Sequence, residues 1–296
     1  MQVSKPFIII LLVSLVLPWS KAEAQDVVPL HASLHQASDL IQPMRELNVS
    51  FSTDSYKALI PDVFEGVRQN EISDTQNTLE PFFYKMRISR AGVCLDSIRV
   101  LHVGDSHIRG HFFTRSIERK LSSFFPSIIY DDFGINGAVA KTFVRPDRIE
   151  TIKQRNPDLL ILSFGTNESH NRMYNAHQHY AQLDELVSEI RKVLPDVPIL
   201  LTTPPGSFER RGRRNFRINP RTEKAVDLIK EYARDNQLAF WDMYSIVGGK
   251  KYACENWSRA ALLRPDHIHY LPEGYELQAD IFCEAIMNAY NEYISF

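Results

Sequence analysis

Residues 98–111, IRVLHVGDSHIRGH, decide how the rest of this sequence is read. Ile98, Val100, Leu101 and Val103 suit a buried strand, and Gly104 permits a sharp turn. From Arg109 onward Phe112, Phe113, Ile117 and Leu121 recur at helical spacing. Ser106 then lies where a strand gives way to a helix. Backbone amides at a helix start lack intrahelical acceptors and carry partial positive charge, so negative charge developing beside a serine there is stabilised. A nucleophile suits that position. The plainer alternative is a strand-to-helix turn with a capping serine, since Gly, Asp and Ser are common turn residues.

Downstream, strand and helix patterns alternate. Strand-like segments occupy 128–132, 158–164 (DLLILSF, a near-continuous apolar run), 198–203 and 238–243, and helical patterns fall over 144–155, 176–194, 222–236 and 272–294. In the 176–194 segment Leu183, Leu186, Val187, Ile190, Val193 and Leu194 share one face. Apolar strands alternating with helices predict an α/β fold: a doubly wound parallel sheet of about five strands flanked by helices. Its ligand crevice is expected beyond the carboxyl ends of the strands.

That rule collects particular polar residues in one place. Gly104-Asp105-Ser106 follows the first strand, Gly134-Ile135-Asn136-Gly137 the second and Gly165-Thr166-Asn167-Glu168 the third, while Asp266-His267-Ile268-His269 precedes the last helix. Acyl transfer needs these parts. A serine requires a base to take its proton, a histidine requires a carboxylate to fix its tautomer, and a tetrahedral oxyanion requires convergent donors. Asp266 and His269, three residues apart, can pair within one turn and aim the imidazole at Ser106. The amides of Ser106 and Gly137 and the Asn167 side chain can supply the donors.

The ordered set GDS, G-x-x-G, G-x-N and D-x-x-H resembles the four blocks of the SGNH (GDSL-type) hydrolases, over roughly residues 98–296. The resemblance implies an SGNH/flavodoxin-like sheet, a nucleophile at Ser106, a triad completed by Asp266 and His269, and an oxyanion hole of Ser106, Gly137 and Asn167. The first block is GDSH rather than GDSL, so His107 replaces an apolar residue. With GINGA, SFGTNE and DHIH, the set is similar to the bacterial branch containing peptidoglycan O-acetylesterases. The expected activity is therefore serine-dependent removal of O-acetyl groups from a carbohydrate, with a bacterial envelope glycan favoured. The alternatives are O-acetyl transfer, or deacetylation of a plant polysaccharide, by the same triad. No G-x-S-x-G occurs, which disfavours the other common α/β esterase design.

Several further residues are candidates for substrate binding. His107 either lines the site or packs beneath the first helix, and Glu168 either contacts substrate or is an acid favoured at a helix start. Residues 209–221, ERRGRRNFRINPR, carry six arginines, among them Arg210, Arg213 and Arg214. Such a run is either a solvated loop or a rim that binds an acidic glycan or peptide carboxylate, since guanidinium and carboxylate match in shape. His177 and His179 read as a solvated helix start. A competing chemistry, metal-dependent hydrolysis, would use Asp105, His107, His111, Asp266, His267 and His269 as ligands, leaving Gly137 and Asn167 without a task. The serine reading expects no cofactor.

Upstream, residues 1–24 read as a signal peptide: Lys5 is the positive start, residues 7–17 an apolar core, and Ala22-Glu23-Ala24 a small-x-small cleavage site. A periplasmic or secreted protein without stable membrane insertion after cleavage is expected. Residues 25–97 form an N-terminal extension with no sustained period through residue 75 and a short lead-in helix over 79–86; His31 and His35 there read as surface histidines. The hydrolase domain spans 98–296. The three cysteines, Cys94, Cys254 and Cys283, exclude a disulfide-stapled scaffold, though one bridge is compatible with them. The formal charge of −2 argues against a nucleic-acid partner.

Overall fold

The computed structural model describes residues 50–93, 96–212 and 215–295. The expected signal peptide, His31, His35 and Cys94 lie outside them. In chain order the regular elements are strand β1 (Ile72–Ser73), helix α1 (Glu80–Arg90), β2 (Ile98–Gly104), α2 (Ser106–Arg109), α3 (Phe112–Phe124), β3 (Ile128–Gly134), α4 (Pro146–Arg155), β4 (Leu159–Ser163), α5 (Thr166–His170) and α6 (Ala176–Val193). There follow β5 (Ile199–Thr202), β6 (Phe208–Arg210), β7 (Phe216–Ile218), α7 (Thr222–Asp235), β8 (Ala239–Trp241), α8 (Met243–Ile246), α9 (Gly249–Arg259) and α10 (Pro272–Ser295).

The sheet runs in the order β1-β8-β5-β4-β2-β3. Five of its strands are parallel, as the apolar runs predict, and β1 is added antiparallel along β8. Side-chain alternation divides the core. Ile98, Val100, Ile161 and Leu200 face one layer with residues of α1, α3 and α10, whereas Leu101, Val103, Leu160, Leu162, Ile199 and Leu201 face the other with residues of α4, α6 and α7. Both faces are apolar because helices cover both, which is why these strands read as continuous hydrophobic runs.

One face carries a polar chain that periodicity does not announce. His102, fully buried on β2, bonds Tyr130 on β3 through Nδ1 (2.8 Å) and Ser163 on β4 through Nε2, and Ser163 bonds Thr202 on β5 (2.6 Å). Burial lowers the imidazole to about 3, so His102 is neutral there.

The described residues before 98 take part in the same compact unit as the sheet. Leu79, Phe82 and Met86 are buried in the core, the Phe51 amide donates to Asn291 Oδ1 (2.9 Å), and the Arg90 guanidinium lies 3.7 Å over the Phe51 ring. The expected short helix is longer, ending at Arg90. The helix predicted from residue 144 starts at Pro146, since the proline sets the first helical position after a 3-10 turn over Ala140–Phe143. Among the described residues no helix is long and apolar enough to cross a membrane. Cys254 and Cys283 are buried free thiols.

Packing at the strand ends leaves no room for side chains. A Cβ on Gly134, the last residue of β3, would stand 2.1 Å from the Arg109 amide nitrogen and 2.5 Å from its Cα. Gly134→Ala must therefore push α2 away from the sheet, and is expected to cost about 1–3 kcal/mol of overpacking. Thermal melting checks this: a Tm within error of wild type would show that α2 yields freely.

Candidate active site

The chain crosses from β3, on one side of β2, to β4 on the other, and then moves outward to β5 and β8. Beside β2 the connections part in opposite directions and leave a crevice at the carboxyl ends of the strands. Ser106 enters it as the first residue of α2. Asp105 caps this short helix, its Oδ1 accepting from the His107 amide (2.9 Å). His269 enters from the loop before α10, and its Nε2 lies 2.8 Å from Ser106 Oγ. Its Nδ1 lies 2.9 Å from Asp266 Oδ2, while Asp266 Oδ1 accepts the amides of Ile268 and His269 (both 2.9 Å).

Burial opposes charge on Asp266, yet the two amides and the imidazole outweigh it and hold the carboxyl at about 2. An ionised carboxylate only accepts, so His269 Nδ1 carries a proton and Nε2 offers its lone pair to the serine hydroxyl. This loop is braced by its own amides and by the hairpin beside it. The Arg264 amide donates to His269 O (2.8 Å), the His267 amide donates to Arg264 O (2.9 Å), and His267 adopts a left-handed φ of 58°. The hairpin β6–β7 supports that bend: the Phe208 amide donates to His267 O (3.0 Å), and the Phe216 ring packs 4.1 Å from the imidazole of His267.

Across the crevice, Asn167 on α5 donates through Nδ2 to Ala138 O (2.9 Å) and to Asp105 Oδ2 (3.1 Å). Gly137 takes a φ of 72°, with open space where a Cβ would point. A crevice of about 850 Å³ joins Ser106, Gly137, Asn167, Asp266 and His269 with Arg109, Phe112, Arg264 and Tyr275. The structure thus brings together all five residues expected for a triad and oxyanion hole.

Among the described residues expected to bind substrate, Glu168, His107 and Arg210 do not line the crevice. Glu168 is buried and faces away from the crevice: Oε2 accepts the Gly165 amide and Oε1 the Ala140 amide (both 2.9 Å), tying the loop after β3 to α5. Burial raises its carboxyl. His107 is buried too, with Nδ1 2.9 Å from Tyr275 Oη and its ring 5.1 Å from that of His269. Burial and the neighbouring His269 depress it to about 3, so it forms a neutral wall behind the base. Arg210 sits on the exposed end of β6, its Nε donating to Gly212 O (3.0 Å), away from the crevice lining. Arg213 and Arg214 lie outside the described residues. The run is not a simple loop, because Glu209 engages both Arg217 and Arg221 and folds it into the hairpin.

Of the potential metal ligands, Asp266 and His269 pair with each other and the others have separate partners. His111 pairs with Asp132 (2.8 Å) and with Arg109 (2.8 Å), His267 packs on Phe216, and His179 is buried beside Tyr174 rather than solvated. Among the described residues no three His, Cys, Asp or Glu side chains converge as a metal-binding set. Arg109, Arg264 and Tyr275 have no site role in the sequence reading, and Phe112 reads there only as part of a helical pattern. Arg109 could have been found, since it stands one turn along from Ser106, and Arg264 only two residues before Asp266; Tyr275 has no local signal.

This geometry belongs to a hydrolase of the GDSL-like lipase/acylhydrolase family. The sequence profile of that family matches residues 96–277, more than half the chain, and the protein is a member of it. Among solved structures it is similar to a peptidoglycan O-acetylesterase, at 17% identity and a TM-score of 0.67 over 75% of this chain and 99% of the other. It also resembles an acetyl xylan esterase (21% identity, TM-score 0.51, 64% and 100% covered). A lipase/acylhydrolase from Enterococcus faecalis is similar as well (19%, TM-score 0.50, 65% and 96%). A comparison with curated protein sequences finds no match.

Asp105 supplies a pH test of the site. Burial raises its carboxyl from the ordinary 3.8 to about 7, against the opposing His107 amide and reinforced by Glu168. The folded state then holds a proton on Asp105 that the unfolded chain has released, so stability from this group falls as pH rises from about 4 to about 7. Asp105→Asn removes that dependence. The Tm of the variant relative to wild type should climb across this window; a constant difference would show that Asp105 ionises in place without cost.

Proposed function

We propose that this protein is an exported serine esterase that removes O-acetyl groups from a bacterial envelope glycan, with acetylated peptidoglycan as its substrate. The observation that carries the reading is the hydrogen-bonded line Ser106–His269–Asp266 opening on a crevice that also holds Asn167 and Gly137. Ser106 Oγ attacks the acetyl carbonyl as His269 Nε2 takes its proton, and the new imidazolium is stabilised by Asp266. The Ser106 and Gly137 amides and Asn167 Nδ2 hold the tetrahedral oxyanion. Both Asn167 amide hydrogens are engaged in the free enzyme, so the oxyanion draws on one as a shared bond. Collapse expels the sugar hydroxyl, protonated by His269, and leaves acetyl on Ser106; water activated by the same imidazole then releases acetate.

Acyl hydrolysis as a class follows from family membership and the site. The fold is shared with esterases of two different glycans, so the choice of peptidoglycan rests on the motifs GDSH, GINGA, SFGTNE and DHIH. Export rests on the apolar, small-residue-terminated leader.

Acetate release from O-acetylated peptidoglycan, compared with acetylated xylan and measured with and without an acceptor oligosaccharide, tests the reading directly. Faster release from xylan overturns the substrate, and acetyl recovered on the acceptor overturns hydrolysis in favour of transfer. Ser106→Ala is expected to lower kcat by ~10^4 with Tm retained. Asn167→Ala should lower kcat by ~10^2–10^3 with little change in KM. Full kcat in either variant removes this mechanism.

A further inference from the structure

The charged groups lining the crevice are unequal in sign. Among its described lining residues the carboxylate is Asp266, which is spent on His269 and two amides, whereas Arg109 and Arg264 both contribute cations. The chain as a whole carries a formal charge of −2, so this is a local reversal. Each arginine is tied to the reacting centre by the backbone. Arg109 ends the short helix that Ser106 begins, three residues on and hence on the same face. Its Nη1 donates to His111 Nε2 (2.8 Å), and His111 is anchored to Asp132 by Nδ1 (2.8 Å), so the guanidinium is held in place with most of its five donors uncommitted. Arg264 is exposed, and its main chain closes the loop that carries the base. Its charge is felt at Tyr275, which lines the same crevice.

Beside these cations lies an apolar platform. Phe112 is 52% exposed, a high value for so large a ring at a cleft, and it lies nearly parallel to Tyr275, with 7° between the ring planes and 6.3 Å between centroids. Flat aromatic faces of this kind receive the C–H face of a sugar ring.

We propose that Arg109 and Arg264 select a substrate that bears a carboxylate within one sugar residue of the acetyl ester, with Phe112 carrying the ring between them. This deepens, and rests on, the reading of the site as a carbohydrate O-acetylesterase. It also moves anion recognition away from the arginine-rich hairpin, where Glu209 consumes Arg217 and Arg221, to the two arginines flanking Ser106 and His269. A planar, bidentate guanidinium recognises a carboxylate through charge-assisted hydrogen bonds, which a neutral sugar cannot return.

The experiment compares acetate release by the full-length protein from one O-acetylated oligosaccharide in two forms, with its neighbouring carboxylate free and with it amidated. p-Nitrophenyl acetate serves as a measure of the esterase itself. The free acid is expected to give on the order of 10-fold higher kcat/KM, chiefly through KM, with the advantage shrinking as salt is raised. Arg264→Gln and Arg109→Gln should each move the acid-to-amide ratio toward one, and Arg264→Lys should restore part of it. A ratio of one in the wild type, with both forms and p-nitrophenyl acetate cleaved, overturns carboxylate selection and leaves the esterase reading intact. Failure to cleave any of the three overturns the esterase reading and the selection with it. A wild-type ratio that persists in the Arg109→Gln, Arg264→Gln double variant overturns the assignment to these two residues.

Discussion

The close approach of α2 to the ends of β2 and β3 is the constraint on which the site depends. Glycine at 134 lets the backbone of Ile108 and Arg109 rest on the strand terminus, and Gly104 is as confined, with Ser163 O 2.7 Å from where its Cβ would stand. With no side chain intervening, the first residue of α2 is delivered to the gap where the chain's connections diverge. Ser106, the loop bearing Gly137 and the helix bearing Asn167 all leave the sheet on adjacent strands. Only His269 and Asp266 come from a distant part of the chain, and their loop is held by its own amides and by the hairpin β6–β7.

Burial is used in opposite senses at two aspartates of the same centre. Asp266 is partly open to solvent and accepts two amides and an imidazole, so it stays charged and fixes the tautomer of the base. Asp105 is enclosed, its carboxyl raised to about 7 while it caps α2 and bonds Asn167. The same enclosure keeps His107 neutral next to His269, so a second imidazolium does not compete for the crevice. An apolar residue at 107 would pack there, but would leave Tyr275 Oη without this partner.

Much of this was legible in the sequence for specific reasons. The central strands β4 and β5, covered on both faces, show as near-continuous apolar runs, and residues following each strand end have to meet because the strands are parallel. Ser106 and Asn167 follow strand ends and are legible by that logic, whereas Asp266 and His269 precede the last helix and are legible by their spacing of three and by the D-x-x-H block. Alternatives stay open in the sequence where a residue's partner is distant along the chain. Glu168 could not be known to serve the Ala140 amide, nor His107 to meet Tyr275 across 168 positions. The run 209–221 reads either as a solvated loop or as a binding rim because Glu209 is only one carboxylate among many cations; its two ion pairs become visible once the hairpin closes. The two-residue β1 is too short to carry a period, and Phe51, Leu79 and Phe82 show their role only against α10 and the sheet.

The polar chain Tyr130–His102–Ser163–Thr202 crosses four neighbouring strands within an otherwise apolar layer. Purely hydrophobic parallel strands tolerate sliding, because one valine or leucine replaces another. A polar chain does not: a slip of one residue would turn His102 to the opposite face and leave several buried donors and acceptors unpaired. The same slip would carry the strand end by about 3.3 Å, more than the span of the hydrogen bond between Ser106 and His269. The chain thus acts as a ruler, measuring off the lengths at which three strands must stop so that three chemically different residues arrive level with one another.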